Sequence, residues 1–144
     1  MPTITIRTKK KKQIVDITED INRLLKKELD SGSAAGMTTG LVHVFVKHTT
    51  CAITTADLDP GTDLDMLEAF EEIVPKLNYR HPHNPGHVGD HIMSAIIGPD
   101  VTVPITNGEL DLGTWQRVVL VELDGPRNRE VVVSIIASEA KQSV

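Results

Sequence analysis

The chain has 144 residues, of which 40% are hydrophobic, 24% charged and 3% aromatic, and its formal net charge at pH 7 is −5. These values are typical of one globular domain with an aliphatic core, which we expect to span residues 1–144. The acidic balance disfavours a nucleic-acid binder, which needs a basic face. No apolar run approaches the roughly 18 residues of a membrane span. A single cysteine, Cys51, suits a reducing compartment, so we expect a cytoplasmic protein without a membrane partner.

Two strands and a helix are predicted at the start of the chain. TITIRT (3–8) and QIVDI (13–17) alternate polar and apolar residues, as half-buried strands do. The run Lys9–Lys12 between them predicts a solvated turn rather than an anion-binding patch, because no aromatic side chain accompanies it. Thr18 is the predicted N-cap of a helix that Gly32 ends.

The middle of the chain predicts two further strands and two helices. GLVHVFVKH (40–48) and CAITTAD (51–57) have strand patterns. Asp59-Pro60 predicts a helix start, with the aspartate as cap and the proline in the first turn, and Pro75 limits this helix. A short helix is expected at about 87–97.

The last third predicts strands joined by short turns. Val101–Ile105 is a strand, and Asn107-Gly108 is the strongest hairpin dipeptide available. TWQRVVLVEL (114–123) and EVVVSIIAS (130–138) complete the set. Because the turns are short, we expect an α+β domain with a largely antiparallel sheet and two or three inserted helices.

Four of the six histidines lie within NYRHPHNPGHVGDHI (78–92), at His81, His83, His87 and His91. Neutral imidazole is a common zinc ligand, and three ligands with one open position form a catalytic type of site. The spacing matches no standard zinc signature, so a hydrophilic loop is the alternative. His48 follows a strand and adds a third imidazole, whereas His43 points to the other face of that strand and is interpreted as structural.

Acidic residues cluster before the second helix, at Asp57, Asp59, Asp63 and Asp65. The helix dipole favours carboxylates there, so capping explains Asp59 unless it has a catalytic or supporting role. Their spacing does not match an EF-hand calcium loop.

Two glycine-containing segments, GTWQR (113–117) and DGPR (124–127), contain further polar candidates. The simplest interpretation is a core tryptophan followed by a plain hairpin turn. The alternative is a phosphate or amide pocket, with Arg127 as a bidentate donor. No phosphate-binding glycine pattern for ATP or NAD is present, and Cys51 is interpreted as a small buried residue.

Four motifs in order resemble the YjbQ family, a group described as uncharacterised and sometimes labelled secondary thiamine-phosphate synthase. They are KHTTCAITTADLDP, NYRH…DHIMSAIIG, VPITNGELDLGTWQ and ELDGPRNR. The resemblance implies a homotrimer with a β-sandwich core and a metal site, with zinc the usual candidate. Its ligands would be His48, His81 and His91. This chain has two additional histidines between the last two, so His83 or His87 could replace His81.

The same resemblance implies roles for polar residues near that pocket. The catalytic candidates are Asp59, Asp65 and Glu122. The substrate-binding candidates are Asn84, Thr114, Trp115, Gln116 and Arg127. Gly113 and Asp124 also match recurrent positions of the family.

Three functions follow as hypotheses. Thiamine-phosphate synthesis is expected as a weak side activity, because diphosphate chemistry normally uses magnesium on carboxylates rather than imidazoles. A metal-dependent hydrolase or lyase acting on a small phosphorylated substrate suits a three-histidine site with an open position. A trimer that binds metal or ligand without turnover is the third hypothesis.

Overall fold

Two antiparallel β-sheets and three α-helices make up the protein, which a computed structural model describes at residues 1–32, 34–81 and 85–138. The strands are β1 (Thr3–Arg7), β2 (Gln13–Asp16), β3 (Gly40–Val46), β4 (Cys51–Ala56), β5 (Asp100–Thr106), β6 (Glu109–Leu110), β7 (Arg117–Glu122) and β8 (Asn128–Ala137). The helices are α1 (Thr18–Ser31), α2 (Thr62–Ile73) and α3 (Val88–Ile97), and a short 3-10 helix, Pro85–His87, leads into α3.

Most strands that are neighbours in the sequence lie in different sheets, and only β5 and β6 among the described strands share one with the next strand along the chain. The larger sheet has the order β1-β8-β3-β5-β6, and the smaller one has the order β2-β7-β4. The lysine turn between β1 and β2 therefore connects one sheet to the other. Every described strand pair is antiparallel, which confirms the predicted α+β class.

The core between the two sheets is aliphatic. Val42 and Val44 of β3 face Ile53 of β4 and Leu120 of β7, and all four side chains are fully buried. Burying one such side chain stabilises the fold by about 1.5–3 kcal/mol. The two antiparallel sheets that share this core confirm the predicted β-sandwich.

The second face of the smaller sheet carries α2 and α3. Ala52, Val119 and Val121 on that face pack with Met93 of α3 and, at the edge, with Phe70 of α2. This layer places α3 directly over β4 and fixes the position of the histidines beside it.

Two predicted helix starts are wrong. Thr18 is the first residue of α1 rather than its cap, and its hydroxyl accepts the Val118 N–H at 2.9 Å. The Asp16 carboxylate instead accepts the Thr18 N–H at 3.0 Å. Asp59 does not cap α2, which starts three residues later with Gly61 at the N-cap and a φ of 91°. Within the described residues, no helix is both long and apolar enough to cross a membrane.

The predicted Asn107-Gly108 hairpin is confirmed. Asn107 has a φ of 52° and Gly108 a φ of 77°, the left-handed pair that a type I′ turn requires. The turn pairs Thr106 of β5 with Glu109 of β6.

Candidate functional site

Two histidines that are ten positions apart in the sequence meet at the start of α3. The rings of His81 and His91 stack with their centroids 5.1 Å apart and their planes 21° from parallel. His81 lies in the segment that follows α2, whereas His91 is the fourth residue of α3. The pair therefore depends on how this loop returns to the helix.

Hydrogen bonds connect α3, the helix that contains His91, to the smaller sheet. The Ser94 hydroxyl donates to the Cys51 carbonyl at 2.7 Å, and the Ile53 N–H donates to the Gly98 carbonyl at 3.1 Å. One turn before Ser94 on α3, Lys12 Nζ lies 2.6 Å from Asp90 Oδ1. These contacts hold α3 against the first residues of β4.

His48 lies in the turn that leads from β3 into β4. Its Nε2 accepts the backbone N–H of Glu130 at 3.0 Å. Burial, followed by the positive charge of Arg129, lowers the pKa of His48 below its ordinary value of 6.5. The ring is therefore neutral at neutral pH, and a neutral ring that accepts at Nε2 has its proton on Nδ1.

Behind this turn lies a buried ion pair. Glu122 and Arg129 are 0% and 2% exposed, and Arg129 Nη2 is 2.5 Å from Glu122 Oε1. Glu122 also accepts from the Thr8 hydroxyl at 2.8 Å and from the Asp124 N–H at 3.0 Å. Burial alone would raise the pKa of Glu122, but the hydrogen bonds from Arg129, Asp124 and Thr8 outweigh it and lower that pKa.

Arg129 also reaches the turn that holds His48. Its Nη2 donates to the Thr50 hydroxyl at 2.9 Å and to the Thr50 carbonyl at 3.2 Å. The sequence analysis did not identify this residue. A signal existed, because Arg129, Val131 and Val133 alternate on one face of β8, and all three are buried.

The three carboxylates expected to be catalytic lie in different surroundings. Glu122 is enclosed in the ion pair, and each of its oxygens accepts two hydrogen bonds. Asp59 and Asp65 are exposed around the start of α2. The surroundings of Glu122 favour a structural role, because no surface of its carboxylate is left for a substrate.

The GTWQ segment forms a tight turn before β7. Gln116 accepts the Gly113 N–H at 3.1 Å through Oε1, and its Nε2 donates to the Thr55 hydroxyl at 3.1 Å. Thr114 is exposed, and Trp115 is 72% exposed. The interpretation of Trp115 as a core residue is therefore wrong.

The Arg127 guanidinium binds Asp124, which lies in the same turn. Its Nε donates to the Asp124 carbonyl at 2.7 Å, and its Nη2 lies 2.9 Å from Asp124 Oδ2. The side chain is half exposed, so a ligand would compete with Asp124 for the guanidinium. Asn84 and His83, two other candidates, lie outside the described residues.

A cavity of about 750 Å³ opens between α2 and α3. Its wall includes Phe70, Met93 and Leu123, and the Lys12–Asp90 pair lies beside them. Tyr79, which also lines it, is two residues from His81. A volume of this size is typical of small-molecule pockets.

The positions of the histidine side chains bear on whether they could hold a zinc ion. Within residues 1–32, 34–81 and 85–138, no group of three or more His, Cys, Asp or Glu side chains is arranged to hold a metal ion. His81 and His91 are close enough to act as two ligands. Among the described side chains, His48 does not complete such a group with them, and its Nε2 already accepts the Glu130 N–H. A lone pair cannot serve a donor and a metal ion at once.

Solved structures share this two-sheet architecture. A YbjQ-like protein of unknown function from Sulfolobus solfataricus superposes with a TM-score of 0.83 at 29% identity, covering 95% of this chain and 96% of that one. An uncharacterised conserved protein of the yjbq/upf0047 family from Clostridium acetobutylicum gives 0.81 at 32% identity, covering 94% and 100%. The class is thus a mixed α/β domain with two antiparallel sheets.

Sequence comparison gives the family. The profile described as "UPF0047 protein YjbQ-like" matches residues 2–138. A UPF0047 protein of Archaeoglobus fulgidus is 34% identical over 134 residues, covering 92% of this chain and 98% of that protein. The UPF0047 protein YugU of Bacillus subtilis is 32% identical over 137 residues, covering 94% and 98%. The chain belongs to the YjbQ/UPF0047 family, as its four motifs predict.

Proposed function

We propose that the protein binds a divalent metal ion, with zinc as the first candidate, on His81 and His91. The observation that carries this proposal is the 5.1 Å separation of their ring centroids. Imidazole nitrogens lie about 2.0–2.1 Å from a bound zinc ion, so two ligand rings must approach each other this closely. Aromatic stacking without a metal is the alternative explanation of the same contact.

His48 is the third ligand in this proposal. The family resemblance supports it, and so does its place beside β4, to which α3 is fastened. Its neutral ring also suits metal binding, because a protonated imidazole has no lone pair to offer. Binding through Nε2 requires release of the Glu130 N–H.

Metal content per chain tests the site. Untagged protein would be measured by mass spectrometry of metals before and after reconstitution with zinc. We expect about one zinc ion per chain, lost in His81→Gln and His91→Gln and reduced in His48→Gln. His43→Gln is the matched control, because His43 Nε2 lies 2.7 Å from Asp100 Oδ2 on the outer face of the larger sheet. No zinc in the reconstituted wild type would overturn the proposal.

A small-molecule ligand is the second candidate, and the cavity between α2 and α3 favours it. Apolar side chains and the carboxylates of Glu71 and Glu72 line it, and so do the lysines Lys11 and Lys76. Neither of these two forms an ion pair with any described residue. We propose a phosphorylated compound with an apolar body, whose phosphate these lysines attract. Weaker binding in Lys11→Gln or Lys76→Gln, with Lys26→Gln on α1 as control, is the expected result.

Turnover distinguishes the remaining alternatives. Purified zinc-loaded protein would be assayed for thiamine-phosphate synthesis and for hydrolysis of phosphorylated compounds. Activity that disappears in His91→Gln but persists in Asp59→Asn and Asp65→Asn would assign the chemistry to the histidine site alone. Saturable metal binding without turnover would support a metal-binding protein that is not an enzyme.

A further inference from the structure

The cavity between α2 and α3 has charged side chains of both signs in its wall. Three lysines and three carboxylates line it. One lysine and one carboxylate, Lys12 and Asp90, pair with each other at 2.6 Å. The remaining four, none of which forms an ion pair with any described residue, are Lys11, Lys76, Glu71 and Glu72. A ligand in this cavity therefore meets both cationic and anionic groups.

Aromatic rings are concentrated around the same cavity. The chain has two phenylalanines, one tryptophan and one tyrosine, and Phe70 and Tyr79 both line the cavity. Phe70 is half-buried against the layer that includes Met93. The Tyr79 hydroxyl donates to the Pro75 carbonyl, which ties its ring to the segment that follows α2. Because aromatic faces attract organic cations, these rings and the neighbouring glutamates suit a cationic nitrogen.

A backbone contact holds the lysine turn beside this cavity. The Gly125 N–H donates to the Lys11 carbonyl at 2.8 Å. A Cβ atom at Gly125 would lie 2.3 Å from the Lys10 carbonyl oxygen, so the two turns fit together only with glycine at this position. The backbone of Lys11 is thereby fixed at the cavity wall, where its ammonium group can pair with an anion.

We infer that the cavity binds a zwitterionic small molecule, which has a cationic nitrogen as well as a phosphate. The phosphate pairs with Lys11 and Lys76, and the nitrogen lies against Phe70, Tyr79 and the glutamates. A ligand whose only charge is a phosphate would bring like charges together at the glutamates, which weakens binding. This inference rests on the proposed phosphorylated ligand and adds the cationic group to it.

Two probes of the same size and shape test for the cationic group. Phosphocholine has a quaternary nitrogen, and in neohexyl phosphate a carbon atom replaces that nitrogen. In isothermal titration calorimetry of the wild-type protein, we expect phosphocholine to bind roughly three- to tenfold more tightly, the range that one cation–π contact supplies. Equal binding, or tighter binding of neohexyl phosphate, would overturn the inference and leave the phosphorylated ligand intact. Binding of neither probe would overturn both.

Matched variants locate the nitrogen within the cavity. Phe70→Leu should bind the two probes with equal affinity, whereas Phe45→Leu, the same change on β3, should keep the wild-type preference. Glu72→Gln should reduce the preference, and Glu68→Gln, on the same helix but outside the cavity wall, should not. A preference for phosphocholine that persists unchanged in both Phe70→Leu and Glu72→Gln would overturn the assignment of the nitrogen to this wall.

A lipid headgroup could supply the same chemistry as a free zwitterion. Sedimentation with phosphatidylcholine vesicles distinguishes these two sources. We expect the protein to stay in the supernatant, because the site is a cavity between two helices that takes up a small molecule. Sedimentation of the protein with the vesicles would overturn the assignment to a free small molecule.

Discussion

Glu122 and Arg129 form an ion pair that is sealed from solvent and joins the end of β7 to the start of β8. Arg129 contacts both carboxylate oxygens, through Nη2 at 2.5 Å and Nε at 2.8 Å. Thr8 and Asp124 fill the remaining acceptor positions of Glu122. A buried pair with this many hydrogen bonds is costly to interrupt on one side only, since the remaining charge is left without a partner.

The first prediction concerns stability. Glu122→Gln should lower the free energy of unfolding by about 3–5 kcal/mol, because it leaves the Arg129 guanidinium buried without its counter-ion. Urea titration followed by circular dichroism would measure this change. Glu130→Gln, at an exposed position nearby, should stay within about 0.5 kcal/mol of wild type. A loss below about 1 kcal/mol in Glu122→Gln would contradict the assignment of a structural role.

The second prediction concerns the stability of the fold at acidic pH. The pKa of Glu122 is lowered in the folded protein from the ordinary value of 4.5. The ionised carboxylate therefore stabilises the fold fully above that value, and this contribution is lost as the pH falls through the lower folded pKa. Wild type should lose stability steeply below pH 4.5, and Glu122→Gln should lack this part of the pH dependence. If the free energy of unfolding of the two proteins depends on pH in the same way, the acid sensitivity does not come from Glu122.

The third prediction concerns the single thiol. Burial raises the pKa of Cys51 to about 12, and the side chain is fully enclosed in the core. A protonated, enclosed thiol is a poor nucleophile, so Cys51 should not react with a thiol reagent in the native protein. Reaction should start only as denaturant unfolds the chain, with the same midpoint as the circular dichroism signal. Fast labelling under native conditions would show that the turn at Cys51 opens.

The fourth prediction concerns assembly. Leu41 of β3 and Ile136 of β8 are register partners on the outer face of the larger sheet, 42% and 56% exposed. The family resemblance leads us to expect a homotrimer, and we propose that these two side chains lie in its subunit interface. Ile136→Lys should shift the molar mass in light scattering from trimer toward monomer, whereas Leu64→Lys on α2 should not. A monomeric wild type would contradict this expectation.

The fold follows from local patterns to a large extent. Alternation along β3 and β8 identifies the inward residues, whereas β7 is buried on both faces and gives no such signal. The Asn107-Gly108 dipeptide locates its hairpin within the sheet. The predicted N-cap at Thr18 is wrong for a tertiary reason. Thr18 has the composition of a cap, but its hydroxyl accepts an N–H from β7, one hundred residues away. A single sequence does not reveal that competing partner.

Less of the candidate site than of the fold could be predicted from the sequence. The contact of His81 with His91 depends on the path of an irregular loop, so spacing alone left their roles open. The acceptor role of His48 depends on a backbone N–H that is 82 positions away and common to nearly every residue type. Arg129 was missed because the residue types around it suggest a solvent-exposed turn, whereas its register on β8 places it inside.

The strand order has a consequence for synthesis. β8 lies between β1 and β3 in the larger sheet, although β1 is the first and β8 the last of the eight described strands along the sequence. Among these strands β1 pairs only with β8, in the register Thr3 to Val132, so β1 has no strand partner until β8 has been synthesised. Such long-range pairing is slow because the loop between the strands must close first. The edge of β1 that β8 covers therefore needs protection from aggregation until β8 is available to pair with it.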